Sequence, residues 1–238
     1  MPTIPILPKP RRLSPPLPAL GGALLLALAA GPALAAQLQL TVIGLDGKPA
    51  ANVVVQAVPS AAWPAQPLPA PVEIAQQNIR FEPFVTVVPV GASVRFVNRD
   101  RFDHHVRSQP GGPLGNVPPA QQFEFRMAAV KSNGTAASAE IKLDVPGTIA
   151  LGCHLHGSMR GHVLISSTPW AGVSDDKGQV SLVNVPDGQL EIKLWHPDQL
   201  SDQPSTRLQA SGAVQQALTI NLTPRRRPPQ PPSSAYAN

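Results

Sequence analysis

The run Thr148-Ile149-Ala150-Leu151-Gly152-Cys153-His154-Leu155-His156-Gly157-Ser158-Met159 decides how the rest of the chain is read. Pro146-Gly147 ahead of it is a turn signal, and Thr148 to Gly152 has the short, continuous apolar character of a buried strand. Val163 to Ser166 reads as the next, closing strand. Cys153 to Met159, between them, is therefore a tight loop that carries a thiol, two imidazoles and a thioether.

Working outward, the surrounding sequence has almost no helical periodicity. Val72 to Ala75, Ile79 to Phe81, Phe84 to Val88, Ser93 to Asn98, a strand through Val106, Gln122 to Met127 and Glu140 to Val145 are short β-rich runs. Gly, Pro, Asn and Asp punctuate them, as at Pro89-Val90-Gly91. Phe123 and Phe125 alternate with polar neighbours, which places one face of their strand in a core. So many short strands in residues 72–167 predict an all-β chain built on a Greek-key β-sandwich.

On either side lie β-rich pieces too small to stand alone. Leu38 to Ile43 and Asn52 to Val58, joined through Asp46-Gly47, read as a hairpin with a longer loop. Beyond Thr168, Gln179 to Val183, Gln189 to Trp195 and Leu218 to Leu222 are strand candidates, with turns at 175–178 and 186–188. Too few strands remain here for a separate sandwich, so residues 37–58 are expected to pair with residues 168–223. Residues 59–71, rich in Pro and Ala, then form a linker, and residues 72–167 form a domain inserted between two parts of a smaller one. Leu45-Asp46-Gly47-Lys48-Pro49-Ala50 and Ser174-Asp175-Asp176-Lys177-Gly178-Gln179 resemble the carboxypeptidase-regulatory type of β-domain.

The central loop carries the chemistry. Cys153-x-x-His156-x-x-Met159 supplies thiolate, imidazole and thioether at short range. A second imidazole would complete a His₂Cys trigonal set with a weak axial Met, the donor set of type 1 copper. The segment Arg101-Phe102-Asp103-His104-His105-Val106 offers it, from a strand remote in sequence. Soft sulfur favours Cu(I) while imidazole serves both oxidation states; zinc is the rival metal, but a methionine ligand would be unusual for it. Cys153 is the sole cysteine, so an intramolecular disulfide and a two-cysteine dinuclear copper site are both excluded. Read singly, the residues are a buried thiol, a surface histidine and a core methionine; the spacing after a buried strand favours the metal.

These residues resemble the cupredoxins, amicyanin and plastocyanin in particular. The loop spacing is similar to that of amicyanin, and His104-His105-Val106 after Asn98-Arg99-Asp100 looks like the family's upstream His-x-Val element. With Val88-Pro89-Val90-Gly91, Thr168-Pro169 and Trp195-His196-Pro197, the chain looks like cupredoxin-containing proteins labelled methylamine utilization proteins. The resemblance implies one type 1 copper held by His104, Cys153, His156 and Met159. His105 stands where the family usually carries asparagine, and Leu155 where it usually carries proline, so His105 and His154 compete as ligands. His162 reads as a strand-edge residue and His196 as structural or interdomain.

The ends of the chain speak to location. Lys9, Arg11 and Arg12, an apolar run from Leu17 to Ala30 and Ala33-Leu34-Ala35 make residues 1–35 an export signal with cleavage near Ala36. Arg11-Arg12 hints at the twin-arginine route. Residues 224–238, rich in Pro and Arg, read as a disordered tail. Six of the 19 basic residues lie before Ala36 or at Arg225–Arg227, and all 14 acidic ones lie between. The body is near neutral, which argues against a nucleic-acid surface. No later apolar stretch is long enough to span a membrane.

The expectation is a periplasmic, monomeric one-electron carrier that meets redox partner proteins. Nothing resembles a catalytic pair or triad, and an oxidase or nitrite reductase would need a further copper centre, for which the sequence displays no histidine cluster. Copper handling without redox turnover, or a β-sandwich binding module with a vestigial metal site, are the alternatives.

Overall fold

A computed structural model describes residues 35–225; the expected export signal, apart from Ala35, and residues 226–238 of the expected tail lie outside them. Every regular element described is a strand, so the chain is all-β. In chain order these are β1 (Ala35–Ile43), β2 (Val54–Pro59), β3 (Val72–Gln77), β4 (Arg80–Glu82), β5 (Val85–Pro89), β6 (Ser93–Asn98), β7 (His104–Gln109) and β8 (Glu124–Met127). There follow β9 (Ser138–Lys142), β10 (Gly147–Cys153), β11 (Arg160–Ser166), β12 (Ala171–Val173), β13 (Gln179–Pro186), β14 (Gly188–Trp195), β15 (Thr206–Ala210) and β16 (Ala213–Thr219).

Four sheets result. Sheet I runs β13-β1-β16 and sheet II β12-β2-β14-β15; sheet III runs β5-β11-β10-β7-β8 and sheet IV β4-β3-β6-β9. Sheets I and II close on one core, in which Leu38, Leu40 and Val42 of β1 meet Val55 of β2 and Ile192 of β14. The alternation Gln37-Leu38-Gln39-Leu40 builds that face, since successive side chains point to opposite sides of a strand. Sheets III and IV close on a second core, with Ile74, Phe81, Phe96, Val106, Leu151 and Val163. Phe123 and Phe125 pack on Phe96 at ring-centroid distances of 5.8 and 5.4 Å.

The hairpin expected between β1 and β2 does not form. Beyond β1 only the bridge Ile43–Pro49 runs back along it, and the two strands enter different sheets. Ser174 makes the diversion. Its hydroxyl donates to the Ala50 carbonyl and accepts from the Val53 N–H, while its backbone bonds Asn52 and Val53. With Asn52 in the left-handed region, β2 crosses to sheet II and faces β1 through the core. Both strands have one apolar face, and that pattern is satisfied equally by pairing side by side or by facing across a sandwich. Gly178 closes the neighbouring turn at φ +74°, where a Cβ would overlap the Val42 carbonyl oxygen.

Sheets II and III lie back to back. Val54 of β2, Val85 of β5 and Leu164 of β11 are buried between them, with Phe84, Val87, Val173 and Trp195 around the edge. Full burial of an aliphatic side chain of this size contributes about 1.5–3 kcal/mol. His162 sits in this joint, edge-on to Phe84 at 5.0 Å and to Trp195 at 6.2 Å, rather than at a strand edge. The Ser166 hydroxyl reaches Gln56 at 2.9 Å, and the Thr168 hydroxyl donates to the Ala57 carbonyl at 2.8 Å. The end of β11 is thereby fixed to β2, which holds sheet III as a rigid base for the loop at its other end.

Candidate metal centre

Strands β7 and β10 run antiparallel, with Val106 opposite Cys153. Alternation along β10 sends Ile149, Leu151 and Cys153 into the second core, and alternation along β7 sends His104 and Val106 the same way. His104 is fully buried and Cys153 is 3% exposed. The loop 154–159 then turns back over them. His156 is half-buried at its surface, and its carbonyl accepts the Met159 N–H at 3.0 Å. The Arg160 guanidinium clips the loop by donating to the Gly157 and Met159 carbonyls. Met159 is fully buried in the same core cluster as Cys153.

Three donor atoms converge. Cys153 Sγ lies 3.7 Å from His104 Nδ1 and 3.6 Å from His156 Nδ1, and the two nitrogens are 3.2 Å apart. Metal–nitrogen bonds of about 2.0 Å and a metal–sulfur bond of about 2.3 Å, splayed at roughly 120°, require N···S of about 3.7 Å and N···N of about 3.5 Å. The donor separations therefore fit a single trigonal His₂Cys metal ion.

The surroundings aim these atoms inward. Asp100 Oδ2 lies 2.9 Å from His104 Nε2 and accepts its N–H, which fixes the ring with Nδ1 facing the sulfur. Asp100 is itself buried and accepts the N–H groups of Asn78 and Ile79. Burial pushes its carboxyl up, but hydrogen bonds from His104, Asn78 and Ile79 outweigh that and hold it below the usual carboxylate range. Burial likewise disfavours the charged His104, and its hydrogen bonds to Asp100 and Cys153 reverse the direction. Burial raises the Cys153 thiol; hydrogen bonds from His104, the His105 N–H, His156 and the Leu155 N–H overcome it and bring it to about 6. The site thus favours thiolate, the form that binds metal. Phe102 lies against both imidazoles, 5.3 Å from His104 and 5.2 Å from His156.

The structure thus brings His104, Cys153 and His156 together and buries Met159 in the core cluster that also holds Cys153. His105 and His154, the competing imidazoles, point to the outer face of sheet III and contribute no ring atom to the group. The sequence assigns Asn98 and Asp100 no part in the site beyond their place in the upstream element. Asn98 is buried, and its amide nitrogen donates to the Phe102 and Ala128 carbonyls while its oxygen accepts the Asp100 N–H. A carboxylate four positions before His104 is the one sequence signal that could have found Asp100. His196 lies buried at the end of β14; its Nδ1 accepts the Asp198 N–H, and burial lowers its pKa.

No protein-family model and no curated protein matches the chain. Among solved structures it is similar to a copper-containing nitrite reductase from Thermus scotoductus, at 23% identity over 46% of this chain and 25% of that one, with a TM-score of 0.35. A purple cupredoxin from Nitrosopumilus maritimus aligns at 20% identity over 40% of this chain and 99% of that one, with a TM-score of 0.32. An oxidised mutant of amicyanin aligns at 23% identity over 40% of this chain and 81% of that one, with a TM-score of 0.30. The chain spans a quarter of the length of the nitrite reductase.

Proposed function

We propose that this chain is an exported, mononuclear type 1 copper protein that carries single electrons between periplasmic redox partners, and is not an enzyme. The observation that carries the reading is the convergence of His104 Nδ1, Cys153 Sγ and His156 Nδ1 at separations of 3.2 to 3.7 Å. His104, Cys153, His156 and Met159 would hold copper there, and the metal would supply a Cu(I)/Cu(II) couple. The protein's own part is rigidity and access. Asp100 and Phe102 fix the imidazoles, the core fixes Cys153, and His156 is the ligand that reaches the surface. Exposed Leu155 beside it gives an apolar contact for a partner at the point where His156 emerges.

In the same reading residues 1–35 are an export signal, and residues 72–167 are the copper domain inserted into a smaller β-domain made of residues 37–58 and 168–223. The pairing of β1 with β13 and β16, and of β2 with β12 and β14, supports that division. Among the described residues no helix is long and apolar enough to cross a membrane.

The test is a copper titration of the mature protein followed by visible absorbance. One equivalent per chain with intense colour is expected, and Cys153→Ser abolishes the colour because a hydroxyl cannot replace the soft thiolate. Colour that survives Cys153→Ser refutes the site. Coloured protein that exchanges electrons with no small redox protein points instead to copper handling.

A further inference from the structure

The alternation that sends His104 and Cys153 inward sends their chain neighbours His105 and His154 outward. On the outer face of sheet III, β10, β7 and β8 lie side by side, and Glu124 of β8 joins the two histidines. We propose that His105, His154 and Glu124 form a second metal site, for a divalent cation of borderline softness such as Zn²⁺ or Cu²⁺.

The geometry is that of a donor set rather than a scatter of surface charge. His105 and His154 present their Nδ1 atoms to each other at 3.2 Å, the same separation as the two imidazole nitrogens of the inner group. Glu124 Oε1 lies 3.2 Å from His154 Nδ1 and 3.1 Å from His105 Nε2. One ligand atom from each of the three falls within 4.8 Å of the others. Tetrahedral bonds of about 2.0–2.2 Å to nitrogen and oxygen place ligand atoms roughly 3.3–3.6 Å apart, so small side-chain shifts close the set. Two imidazoles and a carboxylate suit borderline cations over Mg²⁺ or Ca²⁺. The side chains are 31%, 42% and 51% exposed, which leaves further coordination positions to water.

One neighbour opposes the cation. The Arg107 guanidinium lies 2.6 Å from His154 Nε2. With a metal on Nδ1, the neutral ring carries its proton on Nε2, which then faces the arginine donor. Arg107 must swing aside, and this competition sets a ceiling on affinity that its removal lifts. Arg126, opposite His105 in the register, is already engaged by Asp103.

The outer donors are separate from the inner group, so the outer site is tested with the inner group disabled. Zn²⁺ is titrated calorimetrically into protein carrying His104→Ala and Cys153→Ala, with folding checked by thermal unfolding. One equivalent is expected. Adding His105→Ala or His154→Ala should weaken it beyond the 10–100-fold that loss of a merely supporting residue costs. Glu124→Gln should weaken it and Arg107→Met should tighten it. Should the disabled background not fold, the same outer changes are made in the otherwise unaltered protein, where each should remove one Zn²⁺ equivalent and leave the inner group's uptake in place. Absence of Zn²⁺ uptake, or uptake indifferent to His105 and His154, overturns the site and leaves a hydrogen-bonded surface cluster.

Discussion

Asp100→Asn preserves shape at the base of the metal group and changes one acceptor atom into a donor. The carboxylate accepts the Asn78 N–H at 2.7 Å on Oδ1, and on Oδ2 the Ile79 N–H at 3.2 Å and the His104 Nε2 proton at 2.9 Å. An amide has one oxygen, so its NH₂ must face either Asn78 alone or Ile79 and His104 together. The first arrangement costs less. It forfeits one charge-assisted hydrogen bond, leaves the Asn78 N–H unsatisfied beside a second donor, and weakens the remaining two by removing the charge. Hydrogen bonds to charged groups contribute about 1.5–3 kcal/mol and an orphaned buried donor costs about 1–3, so a loss of roughly 2–4 kcal/mol is expected. The sign with pH follows from the depressed carboxyl. Its stabilisation is complete above the unfolded-state value of about 3.9 and disappears as pH falls through the lower folded value. Urea unfolding of both metal-free proteins should therefore show the full gap at about pH 7 and a gap that narrows progressively as pH falls below about 3.9. Metal affinity should fall about 10–100-fold, the usual effect of removing the partner that orients a ligating imidazole. A gap under about 1 kcal/mol at neutral pH, or one independent of pH, would refute the role given to Asp100.

Three further outcomes follow from the same geometry. His104→Ala should strip or grossly alter the coloured copper site while His105→Ala leaves its absorbance nearly unchanged; the reverse result would mean that the inner group is wrongly assembled. Met159→Gln should keep the colour, lower the reduction potential because a harder donor favours Cu(II), and destabilise the metal-free protein by about 1–3 kcal/mol through burial of an amide; an unchanged potential removes Met159 from the site. His196 is held neutral by burial despite the nearby Asp198, so the unfolded chain takes up its proton first as pH drops below about 6.5. The metal-free protein should lose stability below that pH relative to His196→Gln, and parallel stability–pH curves for the two would dismiss the assignment.

Strands whose pattern is dictated by burial were legible in the sequence. Ser93 to Asn98 has the bounds read from its alternation, and the apolar run before Cys153 ends in the loop expected of it. What escaped is whatever pairing alone decides. β12 is three half-buried residues with no pattern of their own, and β15 is a largely exposed edge of sheet II that exists because β14 offers it hydrogen bonds. The β1–β2 hairpin failed for a related reason: an apolar face records that a strand is buried, and says nothing of whether its sequence neighbour lies beside it or across the core.

The candidate site divides along the same line. Cys153 ends β10 and His156 and Met159 lie on the loop that follows it, so spacing alone displayed them. The choice between His104 and His105 is one of strand parity, and the local origin of that parity is Val106. A valine in the core two positions on requires His104 inward and His105 outward, since side chains alternate strictly. The same parity applied to β10 puts Cys153 inward with Leu151 and turns His154 away. Parity is thus what separates one nearly contiguous set of donors into two groups: a buried, sulfur-containing one whose members are aimed by Asp100 and the core, and an exposed one completed by Glu124 from a third strand. Glu124 lies 19 residues from the nearest residue of either pair. No spacing rule links it to them; only the register of β8 against β7 brings it there.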